Sequence, residues 1–191
     1  MSRQNRCDWC GSDPLYVAYH DEEWGVPVKD DPTLFEFLIL ETFQAGLSWI
    51  TVLKKREHFR RAFDEFDYQK IASYNNKKIE ALENDPSIIR NKLKIKAAVT
   101  NAKAFIDIQT EWGSFSKYIW HFTNNNPIVN HWENLSDIPA LTPLSKTISK
   151  DLKKRGFKFV GPTVVYAHMQ ATGMVNDHLV SCFRHNACQE F

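Results

Sequence analysis

The spacing of apolar residues limits the folds open to this chain more than any other feature. Apolar side chains recur every three or four residues through most of the sequence, which is the period of an amphipathic helix. Residues 124–143, which include three prolines, predict a loop, and only residues 156–161 alternate as a strand does. The pattern predicts helices from residue 31 almost to 49 and over residues 50–63, 68–74, 76–84, 87–108, 114–122, 144–155, 163–171 and 177–183. Because no internal repeat or long linker divides the 191 residues, we predict one domain over residues 1–191 with an all-α, orthogonal helical bundle fold.

Charge and hydropathy exclude few functions. The chain carries 24 Lys and Arg against 23 Asp and Glu, so its formal net charge of +1 gives no general attraction to nucleic acid. No apolar run approaches the roughly 20 residues that cross a bilayer, and the first ten residues lack the apolar core of a signal peptide. We therefore expect a soluble cytoplasmic protein with no membrane partner.

Positive charge is concentrated in two stretches. Residues 86–106 contain five basic residues and no acid, and residues 150–158 contain five basic residues and Asp151 alone. Either stretch is also what a solvated helix face looks like, but together they could form one surface that faces phosphates. Residues 87–94 link two helical patterns, as a DNA-binding hairpin would.

The cysteines and several histidines lie at the two ends of the chain. The spacing His178-x-x-x-Cys182 puts both side chains on one face if the segment is helical, which supplies half of a tetrahedral zinc site. The other half could come from Cys7 with His20, or from Cys7 with Cys10. A redox pair is the alternative for Cys7 and Cys10. A metal site of this kind would tie the two ends of the chain together.

Glu41 is the acidic residue that fits its surroundings least. It continues a stripe of core-facing positions that includes Leu34, Leu38 and Ala45, whereas Glu36 lies on another face and is expected in solvent. Burying an unpaired carboxylate costs several kcal/mol, so Glu41 must be paired, protonated or facing a cavity. Structural pairing with a Lys or Arg and a functional pocket are the two alternatives that remain open. Aromatic residues that could box in a flat, cationic ligand surround it in sequence: Trp9, Tyr16, Tyr19, Trp24 and Trp49.

Four long motifs in this sequence resemble those of the 3-methyladenine DNA glycosylase I family. They are DPLYVAYHDEEWG over residues 13–25, QAGLSWITVLKKRE over 44–57, KKRGFKFVG over 153–161 and VNDH over 175–178. The resemblance runs in order from residue 7 to residue 182. It implies a bundle of the helix-hairpin-helix glycosylase type.

The resemblance also implies a function. A chain of this kind would be a monofunctional N-glycosylase of base-excision repair, which binds double-stranded DNA as a monomer, flips out 3-methyladenine and leaves an abasic site. Glu41 and Tyr19 would then hydrogen-bond the base and Trp49 would stack on it. Glu41 is also the candidate catalytic group.

The remaining site residues follow from the same resemblance. Trp9, Tyr16 and Trp24 would complete the wall of the pocket, and Gly46 with Leu47 would fill the gap that the flipped nucleotide leaves in DNA. One structural Zn²⁺ is implied, and the implied ligands are Cys7, His20, His178 and Cys182. Cys10 and Cys188 would then be additional thiols.

Overall fold

A computed structural model describes residues 5–189, and most of them are helical. Two short strands pair in parallel, Ile128 with Val175 and Val129 with Asn176. The strands are β1 (Ile128–Val129) and β2 (Val175–Asn176). The helices are α1 (Pro14–Glu22), α2 (Asp31–Gln44), α3 (Trp49–Leu53), α4 (Arg56–Ala62), α5 (Tyr68–Ala72), α6 (Asn76–Asn84), α7 (Lys92–Trp112), α8 (Phe115–His121), α9 (Pro143–Lys154), α10 (Pro162–Ala171) and α11 (Phe183–Ala187). The prediction of a mostly helical chain is confirmed.

Side-chain caps decide where several helices begin. The carboxylate of Asp13 accepts a hydrogen bond from the Leu15 amide, and Pro14 occupies the first turn of α1. Asp30 caps α2 in the same way, and Asn91 caps α7. Periodicity missed α1 because its apolar residues do not form a single stripe. The Asp13-Pro14 pair was the signal that could have predicted it.

Some predicted helices have other limits in the structure. The first long helix ends at Gln44 instead of near residue 49, because Gly46 adopts a φ of +87° that a right-handed helix does not allow. The helix predicted over 50–63 is two helices, α3 and α4, with a break at residues 54 and 55. The helix predicted from residue 87 begins at Lys92 and runs on to Trp112, where Gly113 ends it with a φ of +82°.

The prediction of a helix over residues 177–183 was wrong. Residues 177–182 are not helical, because β2 pairs with β1 just before them and Asp177 binds side chains of neighbouring segments instead. A helix, α11, begins only at Phe183. Residues 156–161 pair with no strand among the described residues and form the turn between α9 and α10.

Helix α2 lies at the centre of the core and contacts α3, α7, α8 and α10. His168 of α10 is buried against it, with its Nε2 3.0 Å from the carbonyl oxygen of Leu34. Burial lowers the pKa of His168 to about 4, so the ring is neutral and its N–H donates to that carbonyl. None of the helices within residues 5–189 has the length and apolar character needed to cross a membrane.

Candidate functional site

A cavity of about 670 Å³ lies between the amino-terminal segment, the end of α2, the start of α3, one face of α10 and the loop before α9. Its walls are largely aromatic and aliphatic, and its volume is in the range of small-molecule sites. Every base-pocket residue predicted from the sequence lines it: Trp9, Tyr16, Tyr19, Trp24, Glu41 and Trp49. Gly46 lines its rim, and Leu47 beside it is 40% exposed.

Glu41 reaches this cavity from the buried side of α2 and is only 4% exposed. Its carboxylate has no hydrogen-bond or ion-pair partner among residues 5–189. Burial raises the pKa of Glu41 from 4.5 to about 8, because the charged form has lost its hydration. Of the two alternatives for this residue, the structure therefore gives the one in which it faces a cavity.

Glu36 on the same helix differs from the prediction, because it is paired instead of solvated. Its Oε1 accepts hydrogen bonds from Nε of Arg56 at 2.5 Å and from Nε of Arg60 at 3.0 Å. Arg56 and Arg60 of α4 therefore pair with Glu36, and neither they nor any other residue of the described chain pairs with Glu41.

The aromatic residues of the cavity pack against one another as well as around Glu41. The ring centroid of Trp9 is 5.1 Å from that of Tyr16 and 5.0 Å from that of Trp24, and Tyr19 is 5.4 Å from Trp49. The indole Nε1 atoms of Trp9 and Trp49 are buried without a hydrogen-bond partner in the described part of the chain. Because buried donors are nearly always satisfied, these two N–H groups indicate a ligand or water that they would serve.

A buried lysine holds the rim of the cavity. Lys94, at the start of α7, is 6% exposed, and its Nζ donates to the carbonyl oxygens of Phe43 at 3.0 Å and Ala45 at 2.8 Å. These carbonyls end α2, where the helix itself supplies no donors and where positive charge is favoured. Lys94 therefore fixes the point at which the chain turns into Gly46 and Leu47, and it is not part of a basic surface.

We expect Lys94→Met to lower the free energy of unfolding by about 1–3 kcal/mol, because it leaves the two carbonyls without donors. Denaturant unfolding measures the change. Lys96→Met is the matched control, since Lys96 is exposed and makes only a 3.8 Å contact with Glu83; its effect should stay within about 0.5 kcal/mol. Equal effects of the two substitutions would contradict this role of Lys94.

Four buried side chains from the two ends of the chain form a second site, which could hold a metal ion. The ligand atoms of Cys7, His20, His178 and Cys182 all lie within 4.8 Å of one another. The sulfur of Cys182 is 3.5 Å from Nε2 of His20 and 3.6 Å from Nδ1 of His178. A tetrahedral zinc ion with ordinary bond lengths separates sulfur from nitrogen by about 3.5 Å, so these spacings fit one.

The two histidines of this cluster are oriented by groups outside it. Nδ1 of His20 is 2.8 Å from Oδ1 of Asp21, and Nε2 of His178 is 2.9 Å from the carbonyl oxygen of Trp24. Each ring thus donates on one side and presents a lone pair on the other, as metal-binding histidines do. Since Trp24 also lines the cavity, the cluster and the cavity share a wall.

The choice between His20 and Cys10 as a member of the cluster is settled by position. Cys10 is buried outside it, with its sulfur near the carbonyl of Gly11, and Cys188 lies beside Arg184. The hydrogen bond from Cys7 lowers the pKa of Cys182, which favours the thiolate that metals bind.

The two basic stretches meet in the structure. The side chain of Asn101 on α7 donates to the carbonyl of Lys158 at 3.1 Å and accepts from its amide at 2.8 Å, which attaches the turn after α9 to α7. Lys92 and Lys96 lie 3.5 and 3.8 Å from the carboxylate of Glu83, so part of the first stretch is paired.

Comparison with known proteins identifies the family. A family model described as methyladenine glycosylase matches residues 9–185. The chain belongs to the methyladenine glycosylase family. It is 51% identical to DNA-3-methyladenine glycosylase 1 of Escherichia coli, over 93% of this chain and 95% of that protein, and 49% identical to DNA-3-methyladenine glycosylase of Haemophilus influenzae, over 93% and 96%. The structure of 3-methyladenine DNA glycosylase I from Staphylococcus aureus, solved for its recognition of 3-methyladenine, superposes with a TM-score of 0.91 at 38% identity over 94% of this chain and 96% of that one.

Sequence reasoning missed one wall of this methyladenine glycosylase's cavity. Thr163, Tyr166, Ala167 and Gln170 of α10 line it, together with residues 135 and 138–140 of the loop before α9. The α10 residues recur every three or four positions, so they mark one face of a helix that was itself predicted. Periodicity gave the face, but nothing in the sequence said that this face meets Glu41.

Proposed function

We propose that this chain excises 3-methyladenine from alkylated DNA as a monofunctional N-glycosylase of base-excision repair, with the cavity around Glu41 as its base pocket. The observation that carries the proposal is the carboxylate of Glu41, which has no partner within residues 5–189 and stands in an aromatic cavity. The family and the names of its relatives agree with that chemistry.

The methylated base itself supplies much of the reactivity. Methylation at N3 makes the adenine cationic, so the glycosidic bond is weak and its electron pair leaves with a neutral base. The enzyme must extrude the nucleotide, and damaged, poorly paired bases cost least to flip. Trp49 would stack on the base, since a cation is attracted to an indole face and neutral adenine gains much less.

Glu41 would act through its charge. In the empty cavity its pKa of about 8 keeps most of the carboxyl protonated at neutral pH. A cationic base favours the ionised form, so binding would release a proton and set a carboxylate against the base and the positive charge that develops on the sugar. Water then adds to the sugar carbon and loses a proton, and an abasic site remains. Tyr19 would keep its hydroxyl proton for the base, because burial, with Glu41 nearby, raises its pKa well above 10.0.

Zinc is the metal that best suits the four-ligand cluster. Two cysteines and two histidines form a common structural zinc set, and four protein ligands leave no position for a substrate. We therefore assign the ion a structural role: it would hold Cys7 and His20 to His178 and Cys182, and with them the aromatic residues of the amino-terminal wall.

The DNA-binding hairpin fits α9, residues 155–161 and α10 better than residues 87–94. Gly156 has a φ of +98°, Phe159 has a φ of +57°, and Gly161 precedes α10 without a side-chain cap. Uncapped amides at the start of a helix bind phosphate, and Lys158 adds positive charge there. Because α10 also lines the cavity, this hairpin would place double-stranded DNA over the pocket. The whole chain would act as one domain, a cytoplasmic monomer, with Leu47 and Gly46 filling the gap left by the flipped nucleotide.

Release of bases from methylated DNA tests the proposal. We expect 3-methyladenine to be released in strong preference to 7-methylguanine. Equal release of the two would favour a broad alkylpurine glycosylase. Binding of DNA without release of any base would indicate a zinc-stabilised binding module and would contradict the proposal.

A further inference from the structure

A fully buried carboxylate stands behind the α10 wall of the cavity. Asp177 follows β2 and, within residues 5–189, accepts four hydrogen bonds, all from side chains. Its Oδ1 accepts from Nδ2 of Asn130 at 2.7 Å and from Nε1 of Trp132 at 2.7 Å. Its Oδ2 accepts from the hydroxyl of Tyr166 at 2.5 Å and from Nε2 of Gln170 at 2.8 Å. Asp177 therefore joins the loop after β1 to two residues that line the cavity.

This network fixes which end of the Gln170 amide meets the cavity. A carboxylate only accepts hydrogen bonds, so the nitrogen of the amide must face Asp177 and the oxygen must face away from it. Gln170 lines the cavity, and its Oε1 has no partner among residues 5–189. The main chain of Gln170 is also held in place, because its carbonyl oxygen accepts a hydrogen bond from the amide of Gly25 at 3.1 Å.

We propose that Oε1 of Gln170 determines specificity by accepting a hydrogen bond from the amino group of the bound base, and that Asp177 is the residue that positions it. The inference deepens the proposed function and rests on it. Adenine carries an amino donor at the position where guanine carries a carbonyl acceptor. Glu41 also offers the cavity an acceptor that has no partner among residues 5–189, and an amino group has two N–H bonds to offer. A guanine would set its carbonyl against acceptors and leave them unpaired.

Asp177→Asn is expected to change the group that Gln170 presents to the cavity from an acceptor to a donor. The indole of Trp132 can only donate, so the oxygen of the new amide must stay on the side of Trp132 and Asn130. Its nitrogen then faces Tyr166 and Gln170. Gln170 must turn its own oxygen toward that nitrogen, which presents an N–H donor to the cavity. The unaltered chain should favour adenine, which carries an amino group at this position. Asp177→Asn should therefore favour guanine, which carries a carbonyl there.

The test compares initial rates of release of 3-methyladenine and 3-methylguanine from the same methylated DNA. We expect Gln170→Met, which keeps the shape and removes the acceptor, to lower the preference for 3-methyladenine by about tenfold. Asp177→Asn should lower the preference for 3-methyladenine by at least the same factor. Gln69→Met is the matched control, since Gln69 is exposed on α5, and it should keep the ratio of the unaltered chain. The thermal midpoint and metal content of Gln170→Met should match those of the control.

The outcomes separate this inference from the function on which it rests. No release of 3-methyladenine by the unaltered chain would contradict the proposed function itself. Release by the unaltered chain with an unchanged ratio in Gln170→Met would overturn the role of Gln170, whether or not Asp177→Asn folds. A lowered ratio in Gln170→Met with an unchanged ratio in well-folded Asp177→Asn would overturn the positioning role of Asp177.

Discussion

Glu41→Gln is expected to reduce release of 3-methyladenine at least about 100-fold, the size of effect seen when a preorganised charge-stabilising group is removed from an active site. The substitution keeps the shape of the side chain and its hydrogen-bonding oxygen but removes the negative charge. Single-turnover release from methylated DNA measures the effect on the chemical step, free of product release. Full activity in Glu41→Gln would overturn the role of this carboxylate.

The same substitution is expected to stabilise the fold at and above neutral pH. In the unfolded chain Glu41 loses its proton near pH 4.5, whereas in the folded chain it keeps it up to about pH 8. Between these values the folded state binds the extra proton, so the free energy of unfolding falls as pH rises. The loss amounts to at most roughly 5 kcal/mol, and Glu41→Gln removes it. Thermal unfolding at pH 5 and pH 8 should show the difference between variant and unaltered chain growing with pH.

Glu36→Gln is the matched control on the same helix. Its carboxylate pairs with Arg56 and Arg60 and lies outside the cavity lining. The control should therefore lose stability and keep most of its activity, the reverse of Glu41→Gln. A loss of activity as large in the control would mean that the effect comes from disturbing α2.

Removing the metal is expected to have the largest effect on folding. Structural zinc contributes about 10 kcal/mol or more in small zinc domains, which is comparable to the whole stability of a typical domain. We therefore expect the chain to be unfolded at 37 °C, with no cooperative unfolding transition, when a tight chelator removes the metal or when Cys182→Ala removes a ligand. Cys10→Ala is the matched control, because Cys10 is buried but lies outside the cluster.

Elemental analysis of the native protein and the two cysteine variants measures the metal content directly. Native protein should contain one zinc ion per chain, Cys10→Ala should keep it, and Cys182→Ala should lose it. Purified, folded protein without a stoichiometric metal ion would refute the assignment. So would equal destabilisation by the two cysteine substitutions.

Helix periodicity predicted that Glu41 faces the core, and Glu41 is buried in the structure. Leu34, Leu38 and Glu41 are buried, but α2 is buried on nearly every side, and Ala45 of the same predicted stripe is exposed beyond the end of the helix. The alternative of a basic partner for Glu41 does not occur among the described residues. Periodicity carries no information on how far a helix continues past a glycine with positive φ. For that reason the end of α2 at Gln44 was misplaced.

The metal cluster was predicted for a reason that proved incomplete. His178 and Cys182 were assigned to one face of a helix, but the segment between them is irregular. They converge because β2 and the contacts of Asp177 direct the chain before them, and because Cys182 caps α11. A spacing of four residues is compatible with several local structures, so it indicated the ligands without indicating their geometry.

The α10 wall of the cavity could not be predicted, because it depends on contacts between distant segments. Gln170 meets Asp177 through a bend in the chain, and Asp177 meets Asn130 and Trp132 across more than forty residues. Lys94 is similar: in sequence it belongs to a basic stretch, and only the packing of α7 against α2 buries it.

A crystal structure of the chain soaked with free 3-methyladenine tests the central claim most directly. The base should lie in the cavity, stacked on Trp49, with its amino group toward the carboxylate of Glu41. A base bound elsewhere, or an empty cavity at a concentration that saturates binding in solution, would contradict the assignment of this cavity as the base pocket.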